Sequence, residues 1–110
     1  MLGVMKVSIV RGGGLAGLVT TTTADSASLA PEDARTLRAK VEEAGLLDLP
    51  ERIGGPTRQP DQFTYKLTVE DQGRTHTVYV SEENLPEPLD SFISWVSSIP
   101  GRQEQIGPPG

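Results

Sequence analysis

Residues 62–80 leave the chain few folds to choose from. Phe63, Tyr65, Leu67 and Val69 alternate with Thr64, Lys66, Thr68 and Glu70, the two-residue period of a strand that buries one face and wets the other. Asp71-Gln72-Gly73 interrupts the pattern and ends on a residue free to take positive φ, after which Arg74-Thr75-His76-Thr77-Val78-Tyr79-Val80 resumes it. The second run is therefore expected to fold back antiparallel on the first as a hairpin. A sheet with one apolar face needs a cover, which the rest of the chain has to supply.

Met5, Val7 and Ile9 alternate and predict a first strand that ends at Arg11. Leu18-Val19-Thr20-Thr21-Thr22-Thr23 is β-branched at five successive positions, a composition that loses χ1 freedom in a helix and suits a pleated surface. Between the two lies Gly12-Gly13-Gly14-Leu15-Ala16-Gly17, expected to be an exposed hairpin loop with Arg11 at its base. A helix opens at Pro31, with Glu32 and Asp33 in the first turn where the dipole favours carboxylates. It carries an apolar stripe of Ala34, Leu37, Val41 and Ala44 and stops at Gly45. The leucines of Leu46-Leu47-Asp48-Leu49 are expected under the edge of the core, and residues 51–61 form a loop on their glycine and proline content. A second helix follows Pro88, with Leu85, Leu89, Phe92, Ile93 and Val96 on one face and Trp95 at its border, where it serves the core rather than a ligand.

These elements predict an α+β fold of order ββαββα, a four-stranded antiparallel sheet packed on helices. Residues 1–99 form one domain and residues 100–110, which show no periodicity, a flexible C-terminal tail. A chain of 110 residues buries roughly two thirds of its unfolded surface, enough for one core.

The formal net charge of -5 leaves no surplus of cations to displace counterions from a phosphate backbone, so a nucleic-acid partner is not expected. No apolar run approaches the ~20 residues that span a bilayer, and the first residues lack a charged segment leading into a long apolar one. A cytoplasmic protein, monomeric when free, is expected. There is no cysteine, hence no disulfide, thiolate nucleophile or Cys-based zinc site.

Residues 12–17 match G-x-G-x-x-G after a strand, but phosphate binding in that motif requires the last glycine to open a helix. Here the continuation is strand, so no nucleotide site is expected. Such glycines instead let backbone approach another molecule closely. His76 has no second imidazole with which to hold a metal and reads as a structural residue. Glu32-Asp33, Glu42-Glu43 and Glu82-Glu83 are each adjacent in sequence, whereas acid–base catalysis needs two groups facing one substrate. No catalytic residue, cofactor or metal is expected, and the protein is not read as an enzyme.

Taken together and in order, Val7-Ser8-Ile9-Val10-Arg11-Gly12-Gly13-Gly14-Leu15-Ala16-Gly17, the helix within residues 29–44, and Pro60-Asp61-Gln62-Phe63-Thr64-Tyr65-Lys66-Leu67-Thr68-Val69 resemble the emfourin family, inhibitors of protealysin. The likeness spans residues 5–99. It implies a small bacterial cytoplasmic protein that blocks thermolysin-like zinc metalloproteases, the zinc being the partner's, and a cystatin-like fold with an antiparallel sheet curled around a helix. The family commonly has an aromatic residue where this chain has Leu15. On this resemblance the partner-binding residues are Arg11, Gly12, Gly13, Gly14, Leu15, Ala16 and Gly17, with Pro60 and Asp61 as a second contact. Asp61 equally suits a side chain that bonds the backbone of its own turn. The competing reading is a non-catalytic adaptor or scaffold that pairs with another chain through an exposed sheet edge, such as the strand at residues 20–23.

Overall fold

The computed structural model of the protein describes residues 4–13, 18–54 and 62–107. Strand β1 (Met5–Gly13) is followed by β2 (Val19–Asp25), helix α1 (Pro31–Glu43), a single 3-10 turn (Leu46–Asp48) and the short strand β3 (Arg52–Ile53). Strands β4 (Phe63–Asp71) and β5 (Arg74–Ser81) form the hairpin, and helix α2 (Glu87–Val96) and strand β6 (Gln103–Gly107) complete the chain. The strands make one mixed sheet in the order β3-β5-β4-β1-β2-β6.

The sheet differs from the expected four antiparallel strands at both edges. At one edge, β3 runs parallel to β5 through Arg52↔Tyr79 and Ile53↔Val80, and the Tyr79 amide donates to the Glu51 carbonyl at 2.7 Å. Two residues are too few to show a period, so composition alone marked this segment as loop. At the other edge, residues 103–107 pair antiparallel with β2 from Val19↔Gly107 to Thr23↔Gln103, where a fraying tail was expected. The side chains of residues 103–106 are all exposed, so β6 has no apolar face and leaves no alternation in the sequence. Its placement comes from what precedes it. Ile99 is buried, Gly101 takes φ +85°, and Arg102 Nη1 donates to the Ile99 carbonyl at 2.8 Å, which turns the chain back along β2. The strand at residues 20–23 is thus already paired and is not a free edge; the edges of the sheet are β3 and β6.

The hairpin register follows the alternation. Leu67 pairs with Val78 and Ile9, and Val69 with His76 and Val7, so one face gathers the apolar side chains. At the turn, Gln72 and Gly73 both have positive φ, 51° and 84°, and Asp71 pairs with Arg74. This two-residue connection matches the twist of its strands. Helix α1 lays Leu37 and Val41 on the apolar face, and α2 adds Leu89, Phe92, Ile93 and Val96. Each such side chain, fully buried, contributes about 1.5–3 kcal/mol. Gly45 at φ 62° ends the first helix, and Leu46 behind it is fully buried.

Two polar contacts fix the cover over the sheet. Arg38 of α1 makes a paired contact with Asp71, Nη1 to Oδ2 and Nη2 to Oδ1, each at 3.3 Å. Both side chains are largely shielded from water, at 19% and 15% exposure, so the pair is screened less than a surface one. His76 lies 2.6 Å through Nε2 from the Leu49 carbonyl. A carbonyl only accepts, so Nε2 carries the proton and donates. The histidine is structural, tying β5 to the segment after α1.

Candidate functional site

The helices cover one half of the sheet's apolar face and leave the other half open. Met5, Val7, Ile9, Leu67 and Val69 are buried under them. Toward the first hairpin, on the same face, Tyr65 and Phe63 are only half-buried, Arg11 is exposed, and Ile106 is 71% exposed. The registers Arg11↔Tyr65 and Arg11↔Thr20, with Thr20↔Ile106, set these residues in a row across four strands. Where α2 leaves the sheet, a recess of about 200 Å³ opens between Arg11, Thr20, Tyr65, Ile93 and Glu104. The Arg11 guanidinium stacks over the Phe63 ring, 4.4 Å from its centroid, which holds both in place at the sheet's end.

Strand β1 runs further than its composition implied. Its pairing with β2 stops at Arg11↔Thr20, but pairing with β4 continues through Gly12↔Thr64 and Gly13↔Phe63. Gly12 and Gly13 are therefore ladder residues, not loop, which corrects a strand end placed at Arg11. Gly13 takes φ +95°, and a Cβ there would lie 2.7 Å from the Gln62 carbonyl oxygen. No side chain fits that approach. At Gly12 a Cβ would meet only Val19 Cγ2 at 3.8 Å, an ordinary contact.

Of the candidate partner-binding residues, Arg11, Gly12 and Gly13 stand at this uncovered end. Gly14, Leu15, Ala16, Gly17, Pro60 and Asp61 lie outside the described residues. What the described stems establish is adjacency. Gly13, which leads into residues 14–17, pairs with Phe63, which is separated from residues 55–61 by Gln62 alone. Leu18, on the return of the first hairpin, is 48% exposed. Phe63, Tyr65 and Ile106 belong to the same end and were not singled out from the sequence. Alternation assigns an aromatic to a face but not to the covered part of that face.

Residues Val19–Asp25 form strand β2, not the helix that the dinucleotide motif requires after its last glycine. Among the described residues, no three His, Asp or Glu side chains gather where an ion would sit, and no helix is long and apolar enough to cross a membrane. What this end of the molecule presents is backbone, an arginine–aromatic stack and exposed apolar side chains, the chemistry of a protein-binding surface.

The fold and this surface define an α+β binding module. A family comparison is specific: the Emfourin family model matches residues 9–97, about four-fifths of the chain, and the chain belongs to that family, which is one of protease inhibitors. No curated protein and no solved structure matches the chain. The matched span ends before β6, so the strand that closes the β2 edge lies outside it.

Proposed function

We propose that this protein inhibits a thermolysin-like, protealysin-type zinc metalloprotease of the bacterial cytoplasm by inserting the exposed loops at the end of its sheet into the active-site cleft. The inhibitor is monomeric when free, contributes no catalytic group and carries no metal of its own; the zinc is the protease's. The observation that carries this reading is the Gly13↔Phe63 pair in a member of the Emfourin family. It sets side by side the described strand ends next to residues 14–17 and residues 55–61, the stretches that include the proposed contacts Gly14, Leu15, Ala16, Gly17, Pro60 and Asp61.

A protease cleft binds extended backbone by strand-like hydrogen bonds and fills side-chain pockets. Glycine backbone admits close approach to the cleft wall, and Leu15 supplies an apolar side chain for the pocket that such enzymes reserve for bulky apolar groups. Arg11 and Phe63, stacked at the base, would meet the rim. A loop anchored at both ends in a sheet is a poor substrate, because the product ends cannot diffuse apart and re-ligation competes with release.

Titrating the purified protein into a thermolysin-like enzyme that is cleaving a fluorogenic peptide tests this directly. Hydrolysis is expected to fall linearly to near zero at equal molarity when the enzyme concentration lies well above the inhibition constant. Undiminished hydrolysis across several such enzymes, including one encoded beside this protein's gene, would overturn the proposal.

A further inference from the structure

Among the described residues no helix lies on the opposite face of the sheet, and that face is not flat. Where the strands pass the first hairpin, one row across the sheet consists of Gly12, Thr64 and Ser81. Val19 and Gly54 line the same depression at either side. These side chains are short or missing. The next row is tall: Val10, Lys66, Tyr79 and Arg52, set side by side by the registers Val10↔Lys66, Lys66↔Tyr79 and Arg52↔Tyr79. A low row beside a tall one makes a trench, with a volume of about 470 Å³, within the range of ligand-binding clefts.

The trench is charged against the trend of the chain. The protein has a net charge of -5, yet among the described residues the lining of the trench includes two cations, Arg52 and Lys66, and no carboxylate. Both cations rest on one aromatic ring. The Arg52 guanidinium carbon is 5.1 Å and the Lys66 Nζ 6.0 Å from the Tyr79 centroid. Contact with the ring face fixes where these long side chains lie and leaves their N–H donors free to point along the wall. On the floor, exposed Thr64 adds a hydroxyl, while Ser81 is buried and its Oγ accepts from Asn84 Nδ2 at 2.9 Å.

We propose that this trench is a second docking surface, which takes an acidic extended segment of a partner protein. Strands lie ~4.8 Å apart, so Arg52 and Lys66, two strands apart in one row, stand roughly 10 Å from each other at the backbone. Residues i and i+2 of an extended peptide are ~7 Å apart and point the same way. Alternate carboxylates along such a segment therefore reach both cations, while its backbone lies over the low row. A trench that crosses four strands accepts about five or six extended residues on the same spacings. Two cations are too few to hold a nucleic-acid backbone, whose binding rests on many phosphate contacts.

The probe is a fluorescein-labelled hexapeptide of alternating glutamate and threonine, followed by anisotropy at low ionic strength. Its lysine–threonine counterpart and inorganic phosphate serve as controls. Saturable binding of the acidic peptide is expected, weakened about five- to tenfold by either Lys66→Glu or Arg52→Glu and unchanged by Arg35→Glu, the same charge change on exposed α1. Lys66→Gln and Arg52→Gln give a smaller loss in the same direction, and they decide the matter if a glutamate variant loses the near-ultraviolet dichroism of Trp95. The proposal is overturned by any of three results: no saturable binding, binding indifferent to both positions, or equal competition by phosphate, which would mean a simple anion site. No protease enters this test, so its failure leaves the inhibitor proposal standing, and the reverse holds too.

Discussion

Gly13→Ala is expected to cost about 2–4 kcal/mol of folding stability, whereas Gly12→Ala, one residue earlier in the same strand, changes it by less than about 1 kcal/mol. Two separate penalties act at Gly13. Its φ of +95° is one that L side chains rarely adopt, and the new methyl would sit 2.7 Å from the Gln62 carbonyl oxygen. That oxygen belongs to backbone, which cannot swing aside as a side chain can. Relief requires β1 and β4 to part where Gly13 meets Phe63. Gly12 has neither penalty, since its Cβ would find Val19 Cγ2 at an ordinary 3.8 Å. Urea denaturation of the two variants, compared at constant m-value, measures the difference. Equal costs would mean that the close approach of the two strands does not set the geometry of this end.

Leu15→Asp is expected to do the reverse, leaving stability within about 0.5 kcal/mol of the parent while weakening protease inhibition by about 2–4 kcal/mol, or some thirty- to thousandfold. The effect combines the loss of an apolar anchor with the burial of an unpaired carboxylate in a pocket built for hydrocarbon. Measuring the inhibition constant and the melting temperature of one preparation separates the two quantities. An unchanged inhibition constant would remove Leu15 from the interface. Under the proposed function, the two variants separate stability from inhibition: Gly13→Ala tests the close approach of β1 to β4, and Leu15→Asp tests contact with the protease.

The parts of the fold that were legible in the sequence are those in which burial imposes a period. Leu67, Val69, Val78 and Val80 alternate because helices cover them, and Leu37 and Val41 recur at helical spacing because the sheet lies beneath. The rest lacked such a signal for identifiable reasons. Strand β6 shows its side chains to solvent on both faces, so nothing in Gln103-Glu104-Gln105 distinguishes a strand from a tail. Strand β3 has two residues. Gly12 and Gly13 looked like loop because glycine is common there, yet in this chain the absent Cβ is what lets β1 continue against β4. The trench was illegible for a different cause. Its low row joins positions as distant in the chain as Gly12, Thr64 and Ser81, and only the register brings them together.

Phe63 and Tyr65 show how a correct strand assignment falls short of a functional one. Both point to the apolar face as the alternation predicts, but that face outruns its helices, and the uncovered aromatics lie beside Arg11 at the end of the sheet next to residues 14–17. The same alternation would have read identically had α2 been one turn longer and sealed them into the core.

The central claim is that the loops at this end occupy the protease's metal-bearing groove, and the most direct test is mutual exclusion. The affinity of the protein for a thermolysin-like protease is measured by calorimetry, with and without a saturating small hydroxamate that chelates the active-site zinc. If the loops fill the cleft, the hydroxamate-loaded enzyme gives no binding heat at concentrations that saturate the free enzyme. Binding of equal strength to both forms would put the inhibitor elsewhere on the protease and contradict the account.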